Sequence, residues 1–171
     1  MLSVLDEQIE ATRRAIREHI NGSPTLRGQR DLLTSLPGIA DTTAAALLAE
    51  LLDAKQFAGA RQAAAFAGLV PRVRQSGTSV RGRASLSKVG SARLRKALFY
   101  PAMVALRFNP VLMALHTRLS AAGKSKKLIV GAAMRKLLHL AVGVLRSGRP
   151  FDPGYCSNLG RKTATSQPAG A

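Results

Sequence analysis

The chain has 171 residues, a hydrophobic fraction of 46% and a single cysteine, Cys156. It is therefore one domain with extensions or two small domains, not a disordered basic tail, and it has no intramolecular disulfide or cysteine-based zinc site. The net charge of +17 is uneven: residues 54–151 hold nineteen Lys and Arg but no Asp or Glu, while residues 1–53 sum to −3. A surface of one sign over such a length is typical of a protein that binds a polyanion, and nucleic acid is the leading candidate.

The first predicted element is a helix over residues 2–20, within a helical arm that we assign to residues 1–22. In a heptad repeat, one core position is occupied by Leu2, Ile9 and Ile16. The other core position is occupied by Leu5, Thr12 and His19. Two interpretations stay open, because three heptads with two polar core positions are marginal. The arm is either the stub of a coiled coil that forms a homo-oligomer, or an amphipathic helix folded onto its own domain.

Residues 25–155 are predicted to form a mostly α-helical domain. Two helices over 25–52 flank a tight turn at 36–40, and a short helix covers 59–67. Residues 70–87 lose helical periodicity and are predicted to be an irregular loop or a β-hairpin. Further helices are expected from Ser91, from the Asn109-Pro110 cap and from Ser125, and Pro101 predicts a kink near Ala97. Residues 157–171 are predicted to be disordered.

The turn at 36–40 resembles a helix-hairpin-helix. In that motif, backbone amides at a helix N-terminus bind a DNA phosphate, which here predicts contacts from Gly38, Ile39 and Ala40. Ala40 stands where the usual pattern has a second glycine, and a purely structural helical turn is the alternative.

The arginine-rich segment 70–87 contains a Ser-Gly pair at Ser76. The hydroxyl is a candidate nucleophile for a phosphodiester, because nearby cations can stabilise charge on the phosphate oxygens. Spacing alone does not prefer Ser76 over Ser79, Ser85 or Ser87, and a turn among phosphate-binding arginines is the alternative. The arginines concerned are Arg72, Arg74, Arg81 and Arg83.

Other cations are candidates for contacts with the nucleic-acid backbone. They are Lys88, Arg95, Lys96, Lys124, Lys126, Lys127, Arg135 and Lys136. A solvated helical face is the alternative, which the absence of acids between residues 54 and 151 weakens.

Two-metal phosphoryl chemistry needs several converging carboxylates, so we expect no metal site in this chain. No apolar run reaches the roughly 18 residues of a membrane span, and no membrane association is expected.

Several short runs in the right order carry a family resemblance. They are Leu36-Pro37-Gly38-Ile39, Phe66-Ala67-Gly68-Leu69-Val70-Pro71, Ser76-Gly77, Ser87-Lys88-Val89-Gly90 and Leu94-Arg95-Lys96-Ala97-Leu98. Over roughly residues 30–155 the chain resembles the transposase domain of one bacterial insertion-sequence family, the one-ten family with its one-sixteen and nine-oh-two relatives. The run from Gly68 to Pro71, followed by Ser76-Gly77, is the most distinctive part.

The resemblance implies a DNA recombinase that excises and inserts mobile elements. It implies that Ser76 is the nucleophile, that DNA is the partner, and that a structured guide RNA is a candidate second partner. Family members also have a resolvase-like domain with four acidic metal ligands, which this sequence lacks, so Mg²⁺ is expected only with that domain. Two alternatives stay open: a noncatalytic DNA- or RNA-binding remnant or regulator of a mobile element, and a pure dimerisation and interaction fragment. The implied location is the bacterial cytoplasm, at the nucleoid.

Overall fold

The computed structural model describes residues 2–51, 57–72, 75–76, 80–81, 85–87 and 89–154. In this part of the chain seven helices dominate, which confirms the mostly α-helical prediction. They are α1 (Leu2–Gly22), α2 (Pro24–Thr34), α3 (Asp41–Leu51), α4 (Ala60–Phe66), α5 (Ala92–Phe108), α6 (Pro110–Ala121) and α7 (Lys126–Ser147). The predicted tail at 157–171 lies outside the described residues, and the proposed domain boundaries stay a prediction.

Between α4 and α5 the chain forms two antiparallel strand pairs, which we together call the ribbon. Its four two-residue strands are β1 (Pro71–Arg72), β2 (Gln75–Ser76), β3 (Val80–Arg81) and β4 (Ser85–Leu86). Strand β1 pairs with β4 and β2 pairs with β3. Of the two interpretations of this segment, the hairpin is the one that the backbone pairing supports.

Helix α7 is the centre of the hydrophobic core. It packs against α2, α4, α5 and α6, and its fully buried side chains include Leu137, Leu138 and Val142. By length and composition α7 could cross a membrane, as could the bent pair α5 and α6 taken together, but half of the apolar window of α7 is buried within the fold. Burial on several sides is the usual reason for a helix that is apolar nearly all round.

Local capping explains where the helices start. The Ser91 hydroxyl accepts a hydrogen bond from the Leu94 amide at 3.1 Å, and the Asn109 side chain accepts one from the Val111 amide at 3.0 Å. Each cap satisfies an amide that has no partner within its own helix, so Ser and Asn fix these boundaries. Gly148, with a φ of 64°, ends α7 as predicted.

Helix α5 continues through Pro101 as one helix, and the kink near Ala97 stays a prediction. The chain changes direction by 88° between α5 and α6, at Asn109. Asn109 is fully buried there, because the two helices diverge around the residue that caps the second of them.

The arm helix α1 contacts α2 and α3 only near its end. Ile20 is buried, whereas Leu5, Ile9 and Ile16 are exposed. The heptad stripe therefore is not folded onto the described part of its own domain, which leaves that apolar face open.

The turn between α2 and α3 packs directly on α5. Gly38 has a φ of 106°, and a Cβ atom there would lie 2.7 Å from the Ala105 Cβ and 2.8 Å from the Pro101 carbonyl oxygen. Only glycine tolerates both that backbone conformation and that approach. Gly38 thus joins the α2–α3 pair to the rest of the core.

We expect Gly38→Ala to destabilise the fold by more than about 2 kcal/mol, because it combines backbone strain with overpacking. Gly143→Ala is the matched control, since an added Cβ at this exposed position of α7 meets nothing within 4 Å. That change should stabilise the chain by about 0.5–1 kcal/mol. Urea unfolding followed by circular dichroism measures both, and equal free energies of unfolding would contradict the packing role of Gly38.

Candidate nucleic-acid interface and the serine-bearing ribbon

The end of α4 turns the chain outward into the ribbon. The Leu69 amide donates to the Ala64 carbonyl at 2.8 Å and the Gly68 amide donates to the Ala65 carbonyl at 2.9 Å. Gly68 has a φ of 65°, so α4 ends in a Schellman turn. The direction in which β1 leaves the helical core is set by this turn.

The returning strand closes the base of the ribbon at Gly90. The Ser91 amide donates to the Phe66 carbonyl at 2.8 Å. A Cβ on Gly90 would lie 2.1 Å from that same carbonyl oxygen, and the φ of Gly90 is 126°. A glycine is therefore required for the two ends of the ribbon to meet.

Arg95 also ties the two ends together. Its guanidinium donates to the Ala67 carbonyl at 3.1 Å and to the Gly90 carbonyl at 3.2 Å. Arg95 was predicted as a DNA contact, but the described contacts of this half-buried side chain are with the protein's own backbone. A single cation thus bridges the chain before and after the ribbon.

A carboxylate from α3 completes this joint. Glu50 accepts a hydrogen bond from the Ser91 hydroxyl at 2.7 Å. Since Ser91 caps α5, the negative charge lies at the positive end of the helix dipole, where it is stabilising. We call the contacts among Glu50, Phe66, Gly90, Ser91 and Arg95 the ribbon joint.

Ser76 lies in the far strand pair of the ribbon, away from this joint. Its backbone pairs with Val80, and three residues, 77–79, connect the two strands. Two residues separate β1 from β2 and three separate β3 from β4, so the register shifts by one along the ribbon. Ser76 therefore lies in the strand pair that is farther from the ribbon joint along the chain.

Several predicted contacts near Ser76 can be placed only in part. Arg72 and Arg81 lie on β1 and β3, on opposite strands of the ribbon. Arg74, Arg83 and Lys88 lie outside the described residues. The nucleophile role of Ser76 and the phosphate contacts of these arginines stay predictions.

The turn at 36–40 offers fewer amides than the motif suggested. The Ile39 amide donates to the Leu36 carbonyl at 3.0 Å, and the Ala40 carbonyl accepts from the Ala44 amide at 2.9 Å. Gly38 faces α5, and Asp41 adds an exposed carboxylate to the first turn of α3. Phosphate binding by Gly38, Ile39 and Ala40 remains a prediction. The Ile39 amide already donates its hydrogen bond within the turn.

The cations of α5 to α7 have no carboxylate partner. In the described ranges the only ion pairs are Arg13–Glu10 and Arg30–Asp31, both in the N-terminal part. Lys96, Lys124, Lys126, Lys127 and Lys136 are exposed, and Arg135 is half-buried. Unpaired cations on one stretch of chain produce the positive surface that a polyanion binds.

Around His139, α4 and α7 bring cations together in a way that the sequence did not indicate. Burial lowers the pKa of His139, and the charges of Arg135, Lys136 and Arg61 lower it further. Its Nε2 atom is buried without a hydrogen-bond partner in the described structure. Arg61 was missed because nothing in its own segment signals that α4 packs on α7.

The described residues do not fit a metal centre. They contain no group of three or more His, Cys, Asp or Glu side chains that could hold an ion, whereas two-metal phosphoryl chemistry requires several carboxylates. We therefore derive no step through a metal from these residues.

Arg95→Gln should weaken the ribbon joint, because two carbonyls lose their charged donor. We expect a loss of about 1–3 kcal/mol in the free energy of unfolding and faster hydrogen exchange at the Ser91 amide. Lys96→Gln is the neighbouring control: it should leave stability within about 0.5 kcal/mol while weakening DNA binding. If both variants lose only DNA affinity, Arg95 is a DNA contact and the joint does not depend on it.

Comparison with known proteins agrees with the features described above. The family described as Transposase IS116/IS110/IS902 matches residues 30–117, about half of the chain. The pilin gene-inverting protein of Moraxella bovis is 40% identical over 134 residues, which cover 78% of this chain and 42% of that protein. An uncharacterised 43.6 kDa protein of insertion element IS110 from Streptomyces coelicolor is 30% identical over 144 residues, 84% of this chain and 35% of that protein.

A further relative is the transposase of insertion element IS1328 from Yersinia enterocolitica, 37% identical over 103 residues, 58% of this chain and 28% of that protein. The chain thus spans less than half the length of these relatives. The family match includes the turn at Gly38, the ribbon with Ser76, and helix α5. The chain belongs to the IS116/IS110/IS902 transposase family.

Proposed function

We propose that this domain binds DNA and supplies the serine nucleophile for strand cleavage and exchange in the transposition of an insertion sequence. The observation that carries the proposal is the ribbon, which holds Ser76 near its far end within a stretch of chain that has no acids. Membership of a transposase family supports the substrate class. The name of the pilin gene-inverting relative indicates DNA rearrangement by that protein.

The proposed chemistry is a transesterification. The Ser76 Oγ attacks a backbone phosphorus of DNA, an Oγ–P bond forms, and one P–O ester bond breaks. The hydroxyl proton passes to the released DNA oxygen, so the number of phosphoester bonds is unchanged and no oxidant or energy source is needed. A free DNA end can then reverse the step and rejoin the strand.

The cations have two roles in this proposal. Those on or beside the ribbon, Arg72, Arg74, Arg81 and Arg83, stabilise negative charge on the attacked phosphate. Those on the helices, among them Lys96, Lys124, Lys126, Lys127 and Lys136, hold the DNA backbone and release its counterions. The α2–α3 turn contributes a further backbone contact through the amides of Gly38 and Ala40.

The complete reaction depends on residues beyond this chain. Because the chain covers 42% or less of its relatives' length, the activity of the whole protein is itself a proposal. We expect any Mg²⁺ to be held by an acidic, resolvase-like domain outside this chain, and that domain would complete the site around the serine. A guide RNA is a proposed second partner, and the proposed location is the bacterial nucleoid.

A noncatalytic regulator of a mobile element is the second candidate. Its support is the lack of a metal-binding cluster in the described residues combined with the unpaired cations of α5 to α7. Such a protein would bind DNA or RNA in the same salt-dependent way without forming a covalent bond.

Covalent capture of DNA separates the two candidates. The purified chain is incubated with labelled element-end DNA and Mg²⁺, with and without an added resolvase-like domain, and run on a denaturing gel. We expect a shifted band that Ser76→Ala abolishes and that Ser79→Ala, the matched control three residues along, retains. Salt-sensitive binding without any band would make the chain a DNA-binding regulator, and a band lost only with Ser79 would move the nucleophile.

We further propose that α1 mediates homo-oligomerisation. Its heptad residues Leu5 and Ile9 are exposed, and a shallow groove along the helix is lined by Leu5, Gln8, Ile9, Thr12 and Arg13. A second copy of α1 would bury these apolar side chains as a short parallel or antiparallel coiled coil.

Replacing both Leu5 and Ile9 with Asp should dissociate the oligomer, because charges would replace two seam residues. Val4→Asp is the control, since Val4 is an exposed apolar residue outside the heptad seam. Light scattering after size-exclusion chromatography measures the mass. An unchanged mass in the double variant would exclude the coiled coil.

A further inference from the structure

The solvent-facing side of α5 carries a stripe in which aromatic, apolar and cationic side chains alternate. Lys96, Tyr100, Met103 and Arg107 are spaced by four, three and four residues, which places them on one side of the helix. The stripe lies opposite the buried residues of α5, and 74% of Tyr100 is exposed. We call these four residues the α5 stripe.

Phe99 extends the apolar surface beside the stripe. Its ring meets the Tyr100 ring edge-on, with centroids 5.3 Å apart and an interplanar angle of 82°. Phe99, Met103 and Val104 are also substantially exposed. Helix α5 therefore shows aromatic surface to solvent where folding alone would favour polar residues.

We propose that the α5 stripe binds unpaired nucleotides, with Tyr100 as a stacking platform for a base and with Lys96 and Arg107 as contacts to the backbone. This inference rests on the proposed function, since strand exchange exposes unpaired bases. Single-stranded nucleic acid is bound by this combination, an aromatic ring within a cationic track. The two cations are eleven residues apart, about 16 Å along the helix, which leaves room for stacked bases between them.

Charge argues against a second copy of the chain as the occupant. In a two-fold interface the same residues meet on both sides, so Lys96 and Arg107 of each copy would be brought close to the same cations of the other. Arg93 adds a further exposed charge beside the stripe, and no acid lies between residues 54 and 151 to compensate. A polyanion neutralises these charges.

Geometry argues for a single strand over a duplex. The bases of a duplex are already stacked on one another and present only their edges in the grooves. A tyrosine ring on a helix surface stacks only on a base that has left the helix or was never paired. The cations of the stripe would bind either form, so the aromatic residue is what discriminates.

The test compares Tyr100→Ala, Tyr100→Phe and Leu128→Ala in the full chain. Leu128 is an exposed apolar residue of α7 outside the stripe, and it controls for general loss of apolar surface. Fluorescence anisotropy measures binding of labelled oligo-dT, oligo-U and a DNA duplex of the same length, at one salt concentration. Tyr100→Ala should weaken binding of the single strands about tenfold and leave duplex binding within about twofold of the unmodified chain.

Tyr100→Phe should restore single-strand binding, because the ring is kept, and Leu128→Ala should change nothing. A second readout is available because the chain has no Trp and two Tyr. In a Tyr155→Phe background all tyrosine emission comes from Tyr100, and stacking on a base should quench it with the single strand but not with the duplex. A comparable loss of affinity for oligo-dT and oligo-U would show that the site binds both single-stranded DNA and single-stranded RNA. A loss with only one of them would show which of the two nucleic acids the site binds.

Other results overturn the inference. Equal loss on single strand and duplex would make Tyr100 a general contact, and no loss on either would leave the stripe without a role in binding. A change of oligomeric mass in Tyr100→Ala would assign the face to a second copy. Because Ser76 is intact in all these variants, covalent capture can succeed while this test fails, and the reverse also holds.

Discussion

The hydrogen bonds of the ribbon joint fix where the ribbon leaves the helical core. The Ser91 amide bonds to the Phe66 carbonyl, Arg95 bridges the Ala67 and Gly90 carbonyls, and Glu50 bonds to the Ser91 hydroxyl. These contacts join α3, α4 and α5 at one point, although the residues are far apart in sequence. A ribbon with only two-residue strand pairs has little stability of its own, so the position of Ser76 depends on this joint.

The charge of the chain places a second constraint on the fold. A stretch with a formal charge of +19 repels itself, which disfavours the compact state until an anion binds. The apolar core around α7 supplies the opposing stabilisation, and eight of the nineteen cations are exposed residues of α5, α6 and α7. One of the few carboxylates facing this half of the chain, that of Glu50, is engaged at the start of α5. The surface therefore stays positively charged, while the apolar core offsets the repulsion between the cations.

The limits of each helix could be predicted because caps are local. Ser91, Asn109 and Gly148 stop or start helices through contacts within a few residues, and the structure places them as expected. Contacts across the fold could not be predicted in that way. The packing of Gly38 on α5, more than fifty residues further along the chain, is one such contact. The bonds of Arg95 to two carbonyls that only the folded joint brings together are another. The predicted phosphate and DNA contacts of these two residues stay predictions.

The two proposed activities, DNA cleavage by Ser76 and strand binding by the α5 stripe, both belong to elements that meet at the ribbon joint. The ribbon with Ser76 ends at Gly90, and the α5 stripe starts at Lys96, one turn after Ser91 caps the helix. Arg95 belongs to α5 and bonds to both ends of the ribbon. The base of the ribbon is therefore coupled to the helix that carries Tyr100. A recombinase must keep a cleaved strand close to its nucleophile until a new end arrives. Helix α5 is suited to that task because Arg95 bonds it to both ends of the ribbon, so that the two proposed sites share one anchor.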